Sequence, residues 1–385
     1  MGGKAPAMTG EPEIDPSRVA ARLAENPAFG AVRDAAEGIP AYVVGGSVRD
    51  ALLGRPHLDL DVVVEGEIEP LVAALGGEAT EHERFGTAAV EVGDAEVDVA
   101  RARAESYPRP GALPDVRPAT IAEDLGRRDF SINAMAHPLS GDEELLDPHG
   151  GLADLRAGRV RVLHERSFAD DPTRALRAAR YVARFGYELE DETAALLRQA
   201  DLGDVSEDRV TSELARISRE ERPSAALKLI AEWGVLDLGP GPRLTAALER
   251  LFESSAEWRE YADPAIAILL AVAPGEHPQR LRRRAAKLAR HEPPASPAEV
   301  QVLAADHVPA VLAIARAAGA DWLDDYVARL RHVELEISGY DLIEAGVSQG
   351  PAIGRGLNAA LAAKLDGEAS GYEDELRVAL DAASD

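Results

Sequence analysis

The spacing of apolar residues changes along the chain and divides it into three kinds of segment. From Ser17 to about Glu37, Val19, Leu23, Phe29 and Val32 fall on one side of a helical projection, which predicts an amphipathic helix. The pattern then becomes strand-like. The segment AYVVGGSVRDALLGRPHLDLDVVVEGE reads as strand, glycine turn, short helix, loop and strand, with Val62 to Val64 as the continuous apolar run of a buried strand. Further strands are expected at Ala88 to Val92 and Glu96 to Ala100, followed by an irregular, proline-rich stretch from Tyr107 to Pro118. Beyond it alanine, leucine and arginine recur at helical spacing, most clearly from Asp170 to Phe185. The layout is a small α/β head ahead of a long helical body. We expect a disordered N-terminus at 1–16, a catalytic head at 17–150, a helical neck at 151–240 and a helical body and tail at 241–385, with the GPGP break at 239–242.

A chain of 385 residues can bury a large core in two or three units. It has no cysteine, which excludes disulfides, thiolate metal sites and cysteine nucleophiles. The start lacks a basic segment followed by an apolar run, and no stretch approaches the roughly 20 apolar residues of a membrane span. A soluble, cytoplasmic protein with no membrane partner is expected. The net charge of −26 opposes a general affinity for nucleic acid, although phosphate binding needs only a local basic lane.

Candidate chemistry lies in the head. Gly45 and Gly46 stand at a strand-to-helix turn, where backbone amides can approach a phosphate, although a glycine pair is also an ordinary tight turn. Asp59 and Asp61 follow, at the entrance to the Val62 to Val64 strand. Residues two apart on a strand face one side, so both carboxylates can address one hard divalent cation such as magnesium. A solvated strand end is the plain alternative to this reading, and the turn before and the buried strand after weigh against it. Asp98, flanked by Val97 and Val99, is a candidate third carboxylate or an exposed strand position. Neither GxGxxG nor GxxxxGK[ST] is present, which disfavours Rossmann and P-loop sites.

Taken together, GGSVRD and LDLDVVVEG, VDVARARAESY, RRDFSINAMA at 127–136, SFADDPTRALRAARYVARFGYELE at 167–190 and VSEDRVTSEL at 205–214 resemble, in order, the five motifs of the class II tRNA nucleotidyltransferase and bacterial poly(A) polymerase family. The resemblance implies a polymerase-β-like head with a small mixed sheet, followed by an all-α neck, body and tail. It implies that Asp59 and Asp61 bind two magnesium ions, and that Gly45, Gly46, Ser47 and Arg49 surround a triphosphate with Arg127, Arg128 and Asp129 beside it. It also implies that Asp171 and Arg174, with Arg177 one turn on, read the incoming base. On a continuous helix Asp171 and Arg174 share a face, where a plain salt bridge is the other reading.

The function implied is CCA addition to the tRNA 3′ end from CTP and ATP. A-only addition, poly(A) addition and a catalytically silent RNA-binding relative are the alternatives. DDPTR at 170–174 looks like the A-adding and poly(A) branch, whereas many CCA-adding enzymes read EDxxR. The long segment between Asp98 and Arg127 resembles the mobile element that CC-adding enzymes shorten, which puts CC-only addition last. In the body, HPQRLRRRAAKLAR at 277–290 is the sharpest basic patch. Arg280, Arg283, Arg284 and Lys287 are its candidate tRNA contacts, against a solvated helix face paired with acidic neighbours.

Overall fold

The computed structural model describes residues 14–56, 60–76, 80–82, 86–141 and 144–384. Asp59 and most of the N-terminal segment expected to be disordered lie outside them. Asp15 accepts from the Ser17 amide at 2.9 Å and caps a 3₁₀ turn at Pro16–Arg18. The chain divides into two compact units, one running to Ser206 and including Glu232–Leu236, the other comprising Glu207–Ala231 and the chain from Asp237 onward. The divisions expected at 150 and 240 fall inside these units.

The helix expected over 17–37 is two helices, α1 (Val19–Leu23) and α2 (Phe29–Ala35). The break follows from Asn26-Pro27. A residue before proline avoids the helical region, and the Asn26 side chain accepts from the Ala28 amide at 2.9 Å instead. Val19, Leu23, Phe29 and Val32 are nonetheless all buried.

The head follows as β1 (Ala41–Val44), α3 (Gly45–Leu52), β2 (Leu60–Val64), α4 (Glu69–Leu75), β3 (Thr80–His82), β4 (Thr87–Val92) and β5 (Ala95–Arg101). A hairpin comes next, β6 (Arg103–Ser106) and β7 (Asp115–Pro118), then α5 (Ile121–Gly126) and β8 (Ala136–Pro138). Six strands form one mixed sheet in the order β3-β4-β5-β2-β1-β8, in which only β2 and β5 run parallel. On one face Val44, Val63, Ala102 and Ala136 pack with Ile121 and Leu125 of α5. The stretch expected to be irregular over 107–118 is the turn and second strand of the β6–β7 hairpin, which pairs Arg103 with Pro118 through to Ser106 with Asp115.

The first unit continues through α6 (Gly151–Ala157), β9 (Arg159–Val160), α7 (Ser167–Asp170), α8 (Arg174–Phe185), β10 (Glu188–Leu189) and α9 (Asp191–Leu197). These join the head because α6 packs on the 3₁₀ turn Ser131–Asn133 and Tyr181 of α8 meets Phe130 edge-on.

The second unit is helical throughout its described elements. It comprises α10 (Glu207–Ile217), α11 (Pro223–Glu232), α12 (Gly241–Ser254), α13 (Ala256–Tyr261), α14 (Pro264–Val272), α15 (Glu276–Ala289), α16 (Pro297–Ala304), α17 (Pro309–Ala317), α18 (Leu323–Ala328), α19 (Gly339–Glu344), α20 (Pro351–Asp366) and α21 (Tyr372–Ser384). Trp258 is buried and donates to Asp324 at 2.7 Å. The last three helices close their own cluster around Leu342, Ala360 and Ala379. No single helix among the described residues is long and apolar enough to cross a membrane.

Candidate active site

The glycine turn is built by one residue's backbone. Val44 ends β1 extended, and Gly45, at φ +64°, swings the chain directly into α3. A Cβ on Gly45 would lie 2.6 Å from Nη1 of Arg128, so the absent side chain lets a guanidinium rest against the turn. A Cβ on Gly46 would lie 3.6 Å from Arg49 Nη2 and 3.7 Å from Asp61 Oδ2. The Ser47 hydroxyl accepts from the Asp61 amide at 3.0 Å. Turn and carboxylate strand are therefore fixed to one another.

Strand register brings the next two groups together. Asp61 and Asp98 are partners across the parallel β2–β5 pair, as are Val63 and Ala100 two residues further on. All four point to one face. Val63 and Ala100 pack in the cluster beneath α5, whereas Asp61 is half-buried and Asp98 exposed beyond its edge. Among the described residues no three His, Cys, Asp or Glu side chains form a metal-binding group, and Asp59 lies outside them. The pair nevertheless fits a hard cation, because two adjacent carboxylates repel without one and oxygen donors suit it.

Beside the turn, one buried acid organises two arginines. Asp124, fully buried in α5, accepts from Arg127 at 2.8 Å and from Arg128 at 2.9 Å. Burial alone would raise its pKa, but the charges of Arg128 and Arg127 hold it below the usual carboxylate value. Asp129 behaves alike: burial opposes ionisation, while Arg177 and the Asn133 amide, which donates at 2.9 Å, lower its pKa. Asp124 went unremarked in the sequence because IAEDLG reads as an ordinary helix start.

Arg49 is buried rather than open to a ligand. Its Nε donates to Asp50 at 2.9 Å and its Nη1 to Asn133 at 2.5 Å, and its guanidinium stacks over the rings of Tyr181 and Phe185. Burial disfavours its charge, and Asp50 more than restores it. Arg49 thus clamps α3 to α8 behind the turn. Asn133 and Tyr181 were not singled out from spacing because they act on an arginine across the fold, whereas Asp50 is its neighbour in the chain.

The segment expected as one helix over 170–185 breaks where the base reader was anticipated. Asp171 is extended, at φ −133° and ψ 93°, and α8 begins only at Arg174. The cause is Pro172, which disfavours a helical Asp171. Asp171 and Arg174 therefore do not share a helical face. Instead Asp171 Oδ1 accepts from the Thr173 amide at 3.0 Å and hydroxyl at 2.6 Å, while Oδ2 takes Arg177 Nη2 at 2.5 Å. Arg174 is buried. It donates to Ser167 Oγ at 2.5 Å and to the Arg127 carbonyl at 2.7 Å, and its Nε has no partner among the described residues.

A cleft of about 420 Å³ opens beside Arg174, lined among others by Glu105, Tyr107, Arg127, His164 and Arg166. Glu105 of the hairpin accepts from Arg127 at 2.8 Å and from Tyr107 Oη at 2.8 Å. Burial and Glu105 push the Tyr107 pKa upward, and burial and Arg174 lower that of His164, so both are neutral near pH 7. In the second unit, Arg280, Arg283, Arg284 and Lys287 are exposed on α15.

Comparison with known proteins gives three findings. Residues 41–161 match the poly A polymerase head domain. The chain is 36% identical over 358 residues to a CC-adding tRNA nucleotidyltransferase of Deinococcus radiodurans, covering 88% of each, and 43% identical over 205 residues to an A-adding tRNA nucleotidyltransferase of Halalkalibacterium halodurans. That second match covers 50% of this chain and 48% of the relative, so the chain spans about half the length of that protein. Its structure resembles the Thermotoga maritima CCA-adding enzyme complexed with tRNA at a TM-score of 0.72 and 28% identity, covering 94% of this chain and 98% of that one.

Proposed function

Since this chain belongs to the tRNA nucleotidyltransferase family and carries its poly A polymerase head, we propose that it adds C and A to the 3′ end of cytoplasmic tRNA, using CTP and ATP and releasing pyrophosphate. Enzymes with this head generally use divalent metal ions. Our reading takes the metal to be magnesium, as two ions held by Asp59 and Asp61 with Asp98 alongside. Bound there, it supplies activation of the RNA 3′-hydroxyl and neutralisation of the phosphoryl charge.

The observation that carries this reading is the register pairing of Asp61 with Asp98 directly beside Gly46 and Ser47. The first amides of α3 then face the triphosphate, and the bare Cα of Gly45 allows Arg128 to stand against it. Asp124 holds the Arg128 and Arg127 guanidinium groups in place, so they offset phosphate charge without reorganising. Asp129 and Asn133 hold Arg177 and Arg49 in place behind them. Arg49 is a positioning residue in this account.

Base selection rests on Asp171 and Arg174. A carboxylate accepts from the exocyclic amine of cytosine or adenine, while an arginine donates to their ring acceptors. The unpartnered Nε of buried Arg174 supports this role, because such a donor is costly to leave unmade and a bound base would satisfy it.

A-only addition is the second reading, favoured by the higher identity of the A-adding relative. The β6–β7 hairpin supports retention of A addition despite the CC-adding relative that matches most of the chain. The deciding experiment supplies tRNA ending at the discriminator base, at C or at CC with magnesium and CTP, ATP or both. Extension of all three to CCA is expected. Extension of the CC-ending substrate alone would establish A-only addition, arrest at CC would establish CC addition, and no incorporation at all would overturn the enzyme reading.

A further inference from the structure

We infer that the outer face of α15 is a docking surface for the phosphate backbone of the RNA substrate. The inference rests on the tRNA reading above and extends it to the second unit.

Six basic residues crowd this segment, and the structure sorts them. Arg282 turns inward, where its Nη1 donates to the Leu270 and Ala273 carbonyls at 3.0 and 2.7 Å and caps the end of α14. Arg290 folds back on the Ala286 carbonyl at 3.0 Å. The remaining four, Arg280, Arg283, Arg284 and Lys287, are spaced i, i+3, i+4 and i+7 and so form one stripe. All four are exposed. The opposite side of the helix is anchored by buried Ala285 and Leu288, in contact with α14 and α17. The stripe is thus held on a packed helix rather than on a loose end.

Charge makes the stripe unusual. The chain carries 68 acidic residues against 42 basic ones, and several cations in this unit find carboxylates, among them Arg316 with Asp324, Arg329 with Asp325 and Lys364 with Glu375, whereas α15 sets four side by side on one stripe. No ion pair engages the four stripe residues among the described residues. Like charges at this spacing destabilise a helix, so an unpaired stripe is a surface waiting for an anion. From Arg280 to Lys287 the helix rises about 10 Å, which faces two or three successive phosphates of one strand. Arginine suits such contacts because its planar fork grips phosphate and never loses its charge.

The test measures the affinity of the full chain for a tRNA transcript lacking its 3′ terminus, across a salt series, for wild type, R283E/R284E and R283K/R284K. Charge reversal should weaken binding at least tenfold at low salt and flatten the plot of log Kd against log salt by about two units, one per lost phosphate contact. The lysine variant should keep most of both, and thermal melting should stay within a few degrees. At saturating tRNA the reversed variant should retain wild-type kcat, with the loss confined to KM. Unchanged affinity and slope, with nucleotide incorporation intact, would overturn the surface while sparing the function. Unchanged tRNA affinity together with loss of a protein self-association seen for wild type by sedimentation would assign the stripe to a second acidic copy instead and overturn it equally. Absent incorporation by wild type, with affinity still lost on reversal, would sink the enzymatic reading alone.

Discussion

Arg174 donates its Nη2 to the main-chain carbonyl of Arg127 at 2.7 Å, so the first residue of α8 is tied to the segment whose side chains flank the glycine turn. The residue proposed to read the base and the pair proposed to meet the phosphates are therefore built on one hydrogen-bonded frame. The bond uses the backbone of Arg127, leaving its guanidinium to Asp124 and Glu105.

Exchanging Arg174 for lysine tests the base reader at constant charge. A lysine cannot offer three donors in a fixed plane, so Ser167, the Arg127 carbonyl and a base cannot all be served. We expect kcat/KM for CTP and ATP to fall by about 100-fold, or roughly 2.7 kcal/mol of transition-state stabilisation. UTP and GTP should gain relative to both. Competition assays with all four nucleotides give the readout, and an unchanged preference order at reduced rate would remove Arg174 from base selection.

Gly45 and Gly46 should respond differently to alanine. At Gly45 the left-handed backbone costs about 1–2 kcal/mol for any residue with a Cβ, and the added carbon displaces Arg128 Nη1 as well. At Gly46 the added carbon meets only ordinary contacts. G45A should therefore lose more than tenfold in nucleotide incorporation and several degrees in melting temperature, with G46A much nearer wild type in stability. Equal melting temperatures for the two would contradict the turn geometry.

Neutralising the strand carboxylates separates chemistry from folding. Asp61→Asn should reduce incorporation by about 1,000-fold or more, the scale expected when stabilisation of developing charge is lost. Its melting temperature should hold or rise, since like-charge repulsion with Asp98 disappears. Asp98→Asn should cost less activity and shift the magnesium concentration needed for half-maximal rate upward. A metal requirement identical to wild type in both variants would refute the assignment.

How much of this was legible in the sequence depends on the range of the interaction. The β1–α3–β2 unit was readable because glycine turn, apolar run and alternating carboxylates are local signals, and Val62 to Val64 are indeed buried. The breaks at Asn26-Pro27 and Asp171-Pro172 also carried a local signal, the residue before proline, which the helical periodicity around them masked. Asp124, Glu105 and Asn133 could not be singled out. Each matters through an arginine 3 to 84 positions away, and nothing in a single chain's spacing reports which acceptor a guanidinium will choose.

Asp124 carries the last prediction, because its pKa is lowered by the two arginines it holds. A carboxylate depressed in the folded state binds protons more readily when unfolded. Its contribution to stability is therefore complete well above the unfolded value of about 3.9 and is lost as pH falls through the lower folded value. Unfolding by urea should give a wild-type stability that declines below about pH 5, with Asp129 adding in the same direction. Asp124→Asn should be less stable at pH 7 by about 3 kcal/mol or more, since two guanidinium groups lose a buried counter-charge. It should also show a shallower acid-side decline. The same variant should lose incorporation, because Arg128 no longer has the anchor that aims it at the turn. A variant with wild-type stability and the full acid-side slope would mean that Asp124 is not the charge on which the two arginines depend.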